Sequence, residues 1–345
     1  MPIQRRVTQK QLARLAGVSH MTVSLALRGR GRIGHATKQH IMELARELGY
    51  HPDPALSALN AYRTGKKRRS YQGSLVWLTN FASRDGWRYG KQMEGYFIGA
   101  AEQSKKLGYA LSEFWLGDPT LTPERISHIL QSRGVSGLLV APQPVPYSEI
   151  PFDWDNYSAV TLGYSLAKPQ LHMVMNHQFR NMQRVVRELK QRGYRRMGLA
   201  MASANDERVD HNYLSGFWIE CRSTRPGVSV PPLLSAQFDF ATFRRWFLKH
   251  RPDVVITATT WVADVESWLK QLGYSVPGDV GLAVPSIPFR QERYSGVDEN
   301  VLLVGRIAVD TLVGMIHRNE RGIPPFPLRV LAEGAWHEGR TVKPK

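Results

Sequence analysis

The chain has 345 residues, with 46 Lys or Arg against 29 Asp or Glu and a formal charge of +17. That length suits two or three compact units, and that balance suits a polyanionic partner. The single cysteine, Cys221, excludes an intrachain disulfide and a metal–thiolate cluster. With no apolar signal core at the start and no apolar run of about 18 residues, a soluble, cytoplasmic protein without membrane contact is expected.

Residues 1–70 hold 14 Lys or Arg against the acids Glu43, Glu47 and Asp53. Such a run is either a solvated face or a nucleic-acid footprint, and pattern decides between them. Thr8, with Gln11 three residues on, has the spacing of a capping box and predicts a helix there. Leu12, Leu15 and Ala16 then share a face, and Gly17 can end the helix in a left-handed turn. Ser19 caps a second short helix, which buries Val23, Ala26 and Leu27 and leaves its other face free. Two short helices joined by a tight Gly turn meet the requirements of a helix-turn-helix, a generic helical hairpin being the alternative. A third helix is predicted from about His35 to Leu48 on the stripe Ile41, Leu44, Ala45 and Leu48. Pro52 and Pro54 break it, and Asp53 can cap a further short helix to about Tyr62.

The segment VTQKQLARLAGVSHMTVSLALRGRGRIGHATKQHIMELARELGYHPDPALSAL resembles the DNA-binding headpiece and hinge helix of the LacI/GalR repressor family. The resemblance implies that His20, Met21 and Leu25 touch base edges in the major groove. It implies that Thr8, Ser19, Thr22, Ser24 and Tyr50 hold phosphates, and it places Arg32 on the DNA-binding surface. Leucine cannot make bidentate bonds to guanine, so contact with thymine methyls is expected at Leu25. Leu56 and Leu59 belong to the hinge helix. The resemblance makes Leu59 the wedge that kinks DNA in the minor groove, the alternative being that both leucines merely dock the hinge. Residues 65–70, GKKRRS, read as a flexible basic linker.

From Ser74 onward apolar runs alternate with helical segments, the order of a parallel sheet flanked by helices. SLVWLTN, residues 110–115, GLLVAP, residues 158–162, RRMGLAMA, DVVITA and VGLAV read as strands. Residues 93–107, 123–132, 179–192, 261–272 and 300–318 read as helices. GYSVPGDVGLAV and the closing IPPFPLRVLAEGAWHEGRTV extend the resemblance over nearly the whole chain. It implies an N-terminal all-α helix-turn-helix headpiece and an α/β periplasmic-binding-protein-like core of two Rossmann-like subdomains. The expected division is 1–52 for the headpiece, 53–71 for hinge helix and linker, and 72–345 for the effector-binding and dimerisation core. Within that core, one subdomain takes about 72–173 and 300–328, and the other about 174–299 and 329–345.

Ligands of such folds sit in the cleft at the carboxyl ends of the strands. The candidate effector-binding residues there are Asn80, Phe81, Trp87, Asn176, Tyr213, Phe240, Thr259 and Ser286, with Trp261 nearby. Aromatics can stack on a sugar ring, but nine tryptophans in one chain must mostly be packing. The charged sugar clamp of the family is missing: Thr259 and Thr260 stand for its Asn-Asp pair, Tyr213 for its arginine, and Ser286 and Ile287 for its aspartate pair. No nucleophile elbow, P-loop or HExxH motif occurs, so neither catalysis nor a cofactor is expected. The expected function is a sequence-specific transcriptional regulator, by default a repressor. It would bind a pseudo-palindromic double-stranded operator as a homodimer and answer to a small-molecule effector, a sugar or sugar derivative. The rival is a periplasmic-type sugar-binding protein without a gene-regulatory role, which has no use for residues 1–64.

Overall fold

The structure is a computed structural model that describes residues 8–27, 33–48, 50, 72–221, 230–287 and 289–343. The chain forms two units, residues 1–70 and 71–345. Arg32, Leu56, Leu59, the hinge helix and the basic linker lie outside the described residues.

In the first unit, α1 (Gln9–Leu15), α2 (His20–Leu27) and α3 (His35–Glu47) pack around Leu12, Val23 and Ile41, each fully buried, with Ala13, Ala26 and Ala45 filling in. The capping box forms as the spacing predicts: the Gln11 amide donates to Thr8 Oγ1, and the Thr8 amide to Gln11 Oε1. Gly17 turns the chain at φ +65°, a region that costs a residue with a Cβ. Leu15 departs from expectation, being 61% exposed while Ala13 takes the buried position. In a helix this short, a shift of two positions turns a side chain by roughly 200°.

The second unit opens with β1 (Gly73–Thr79), α4 (Lys91–Leu107), β2 (Tyr109–Trp115), α5 (Pro123–Ser132) and β3 (Val135–Val140). Then come β4 (Ser148–Glu149), β5 (Ser158–Leu162), β6 (Leu166–Lys168), β7 (His172–Asn176), α6 (Gln178–Gln191) and β8 (Met197–Ala202). Next are α7 (Ser203–Glu207), α8 (Asn212–Cys221), β9 (Leu233–Ser235), α9 (Phe240–His250), β10 (Val254–Ile256) and α10 (Val262–Gln271). The unit closes with β11 (Gly281–Val284), β12 (Ser295–Asp298), α11 (Val301–Arg318), β13 (Arg329–Ala332) and β14 (Ala335–His337).

Two six-stranded sheets result. The first runs β13-β7-β5-β3-β1-β2 and is parallel throughout. The second runs β14-β12-β11-β10-β8-β9, parallel but for the antiparallel β12–β14 pair. Continuous apolar runs such as Leu75–Leu78 and Leu138–Val140 are buried, as strands covered on both faces must be. Helix α11 closes the first subdomain by lying directly on α4. A Cβ on Gly305 would collide with the Tyr96 carbonyl, and one on Gly99 with the Leu302 carbonyl, so glycine at both positions sets how near the two helices come.

Two expected boundaries move. Strand β13, expected in the second subdomain, pairs with β7 at the edge of the first sheet. Strand β7 also stays whole in that sheet, so the first crossing follows Asn176 rather than residue 173. The chain therefore passes between subdomains three times: β7 to α6, β12 to α11, and β13 to β14.

Candidate DNA-reading surface and inter-subdomain cleft

On α2 the exposed face starts at the first turn, with His20 exposed and Met21 67% exposed. Thr22, Ser24 and Leu25 follow, half-buried. Ser19 Oγ accepts from the Thr22 amide at 3.1 Å and lies 2.8 Å from the Thr22 hydroxyl, so a lone pair of that oxygen holds the helix start. Thr8 does the same for α1. Helix starts leave amides free of intrahelical partners and carry the positive end of the helix dipole, which attracts phosphate. Tyr50 is half-buried, and its hydroxyl accepts from Gln9 Nε2 at 3.1 Å, tying the end of the third helix to the start of the first.

In the second unit the candidate residues scatter. Asn80 and Phe81 are half-buried just past β1, where the Phe81 carbonyl accepts from Trp115 Nε1 at 2.8 Å. Trp87 is not a cleft residue: it is fully buried in the core of the first subdomain, 5.8 Å from the Trp77 ring and 5.1 Å from Phe97. Phe240 lies by Trp268, at 6.3 Å, beside the aromatic cluster of Phe238, Phe243 and Trp261. Trp261 itself donates through Nε1 to Asn205 at 3.0 Å. The Thr259 hydroxyl donates to the Ser286 carbonyl.

Asn176, Tyr213 and Ser286 do come together, around a residue to which no motif points. Glu299, 3% exposed, lies in the crossing from β12 to α11. Burial pushes its carboxyl up to about 7, against the downward pull of Ser286, Asn176 and Gln178, which face it. Tyr96 on α4 and Tyr213 on α8 are buried beside it, and both phenols are held well above their ordinary range, by burial first and by Glu299 next. Arg208 completes the cluster. Burial lowers its pKa, and the two phenols oppose that shift. In the sequence Glu299 is the second of two adjacent acids, Asp298 and Glu299, ahead of an apolar helix, and nothing there sets it apart from its neighbour.

The cluster is held between subdomains by three links. Gln92 on α4 donates to Ser286 Oγ and to the Ile287 carbonyl, both at 3.2 Å. Arg208 reaches back to the carbonyls of Pro144 at 3.1 Å and Gln143 at 2.7 Å. Tyr147 Oη lies 3.3 Å from His211 Nε2, whose Nδ1 is 2.9 Å from the buried Asp206 carboxylate. The arrangement offers hydroxyl, amide, carboxyl and guanidinium groups to a polar ligand. No group of three or more His, Cys, Asp or Glu side chains suited to a metal ion occurs among the described residues.

Comparison with known proteins places both units. Residues 8–53 match the profile described as bacterial regulatory proteins, lacI family, and residues 186–341 match a periplasmic binding protein-like domain. The first unit thus carries a lacI-family DNA-binding domain. Over 51 residues the chain is 47% identical to the sucrose operon repressor of Klebsiella pneumoniae, and over 54 residues 46% identical to the HTH-type transcriptional regulator GntR of Pseudomonas aeruginosa. Those stretches span 15% and 16% of the two relatives, and 14% and 16% of this chain.

A likeness of fold extends over the rest. A structure of a transcriptional regulator CelR–cellobiose complex covers 97% of this chain and 100% of its own, with a TM-score of 0.58 at 17% identity. The lac repressor dimer bound to operator and the anti-inducer ONPF covers 98% and 99%, with a TM-score of 0.54 at 16% identity. At such identities the likeness is one of fold. Among the described residues, no helix is long and apolar enough to cross a membrane.

Proposed function

We propose that this chain is a sequence-specific transcriptional repressor that reads a pseudo-palindromic operator as a homodimer and is controlled by a small-molecule effector in the inter-subdomain cleft. The observation that carries this reading is the α1–α2 pair, whose two capped helix starts flank the exposed His20–Met21 face. His20, Met21 and Leu25 read base edges. Backbone amides at the starts of α1 and α2, with Thr8, Ser19, Thr22, Ser24 and Tyr50, hold phosphates. Arg32 adds a phosphate contact, and Leu56 and Leu59 act in the minor groove. One headpiece offers few base contacts, and a two-fold pair doubles them at fixed spacing.

Asn176, Tyr213 and Ser286 contact the effector, with Asn80, Phe81 and Thr259 at the margins. A sugar or sugar derivative is favoured by the sucrose repressor's likeness in the headpiece and the CelR–cellobiose likeness in fold. The test is operator selection from random duplex DNA with the full-length protein, followed by titration in the presence of sugars. Leu59→Ala is expected to cost specific affinity at least about tenfold and to leave nonspecific affinity, mostly phosphate electrostatics, nearly unchanged. Equal losses on both kinds of DNA, measured by fluorescence anisotropy, remove Leu59 from the wedge role.

A further inference from the structure

Glu299 is met from every element around it. Tyr96 faces it from α4, Asn176 from the end of β7, Gln178 from the start of α6, Tyr213 from α8 and Ser286 from the end of β11, while Asp298 lies on its own segment. The nearby cation, Arg208, spends hydrogen bonds on the carbonyls of Gln143 and Pro144, and Asp206 is taken by His211 and the Leu214 amide. Glu299 Oε1 and Gln178 Oε1 are buried acceptors without a donor, and Asn176 Nδ2 beside them is the one buried donor of these three residues without an acceptor. A carboxylate has no hydrogen to give, whereas a protonated carboxyl supplies one O–H. Two unmet acceptors against one unmet donor leave these facing side chains short of one hydrogen, a deficit that a proton on Glu299 makes good and an ionised carboxylate does not.

The cluster also spans the two subdomains. Tyr96 and Asn176 belong to the first subdomain and Tyr213 and Ser286 to the second, with Glu299 in one of the three crossings. We propose that Glu299 is a proton-carrying hinge residue, protonated while the subdomains are shut and ionised when they part, so that pH biases the closure on which the effector acts. The inference rests on the cleft reading above only for the link to the effector. Parting lets water reach the carboxyl, and closure then takes up one proton. For one proton, the ratio of parted to shut protein rises at most about tenfold per pH unit.

The test uses the full-length protein with no effector present. In a Cys221→Ser background, Ser132→Cys on the first subdomain and Gln271→Cys on the second, both exposed, carry a donor and an acceptor fluorophore. Between about pH 5.5 and about pH 8.5 the unsubstituted Glu299 protein is expected to shift toward parted distances, and Glu299→Gln to stay shut throughout. An unchanged distance distribution, or the same pH response in Glu299→Gln, overturns the proposal. If that variant does not fold, infrared spectroscopy of the parent protein decides. The carbonyl absorption of a protonated carboxyl must vanish as the probes separate, and separation without that loss refutes the assignment. A sugar bound in the cleft with a pH-insensitive hinge sinks this inference alone. A pH-driven hinge that no effector class moves sinks only the effector reading.

Discussion

Glu299 makes the stability of the folded protein depend on pH in a defined direction. Its carboxyl ionises at about 7 in the folded chain and near its ordinary 4.5 when unfolded. Folding thus takes up a proton between these values, so its contribution to stability is greatest below pH 4.5, declines as pH rises to about 7 and is then constant. Glu299→Gln removes that slope, and above pH 7 it is expected to be more stable than the parent by on the order of 3 kcal/mol at most. Urea denaturation at about pH 5 and about pH 8 measures the difference. On the DNA side, Leu25 is expected to feel a single methyl. Replacing the contacted thymine by uracil should cost about 0.8 kcal/mol of binding with Leu25 and nearly nothing with Leu25→Ala, the non-additivity marking the contact. Equal costs in both proteins place Leu25 elsewhere.

Among elements, the headpiece and the strand–helix alternation were legible because they depend on local rules: hydroxyl caps, a Gly turn, apolar runs of strand length. Capping at Thr8 and Ser19 follows from neighbours three residues away. Tertiary partners were not legible. Trp87 lies in a polar-looking loop, GWRY, yet it is drawn wholly into the core by Trp77 and Phe97. Strand β13 joins the first sheet because an open edge at β7 accepts it, something no periodicity in residues 329–332 encodes. Glu299 escaped notice for the same reason: its five facing side chains come from four separate stretches of chain, at 96, 176–178, 213 and 286. The α4–α11 contact is such a long-range fit, and Gly305→Ala should cost about 1–3 kcal/mol, because the added methyl meets backbone rather than a movable side chain. A full-length variant with unchanged urea midpoint contradicts that account.

At the scale of the molecule, the charge is divided unevenly, with 14 of the 46 Lys and Arg in residues 1–70 against only three acids. DNA affinity of the full chain should therefore fall steeply and linearly on a log–log plot against salt, by counterion release from phosphates. A protein of residues 72–345 should show no such binding at any salt, as measured by anisotropy on the selected operator. Retained binding by that fragment moves the DNA-reading surface out of the headpiece.

The return of β13 to the first sheet has a consequence for synthesis. That subdomain begins at residue 73, yet it lacks the helix that covers α4 until residue 318 and the strand that seals β7 until residue 332. On the ribosome the headpiece emerges complete in its first fifty residues, while the sheet that follows it waits, its edge open, for almost the last of the 345. The half of the core begun first is thus closed only after most of the second sheet has been made. A nascent chain stalled short of residue 329 would carry a finished DNA reader on an unfinished core.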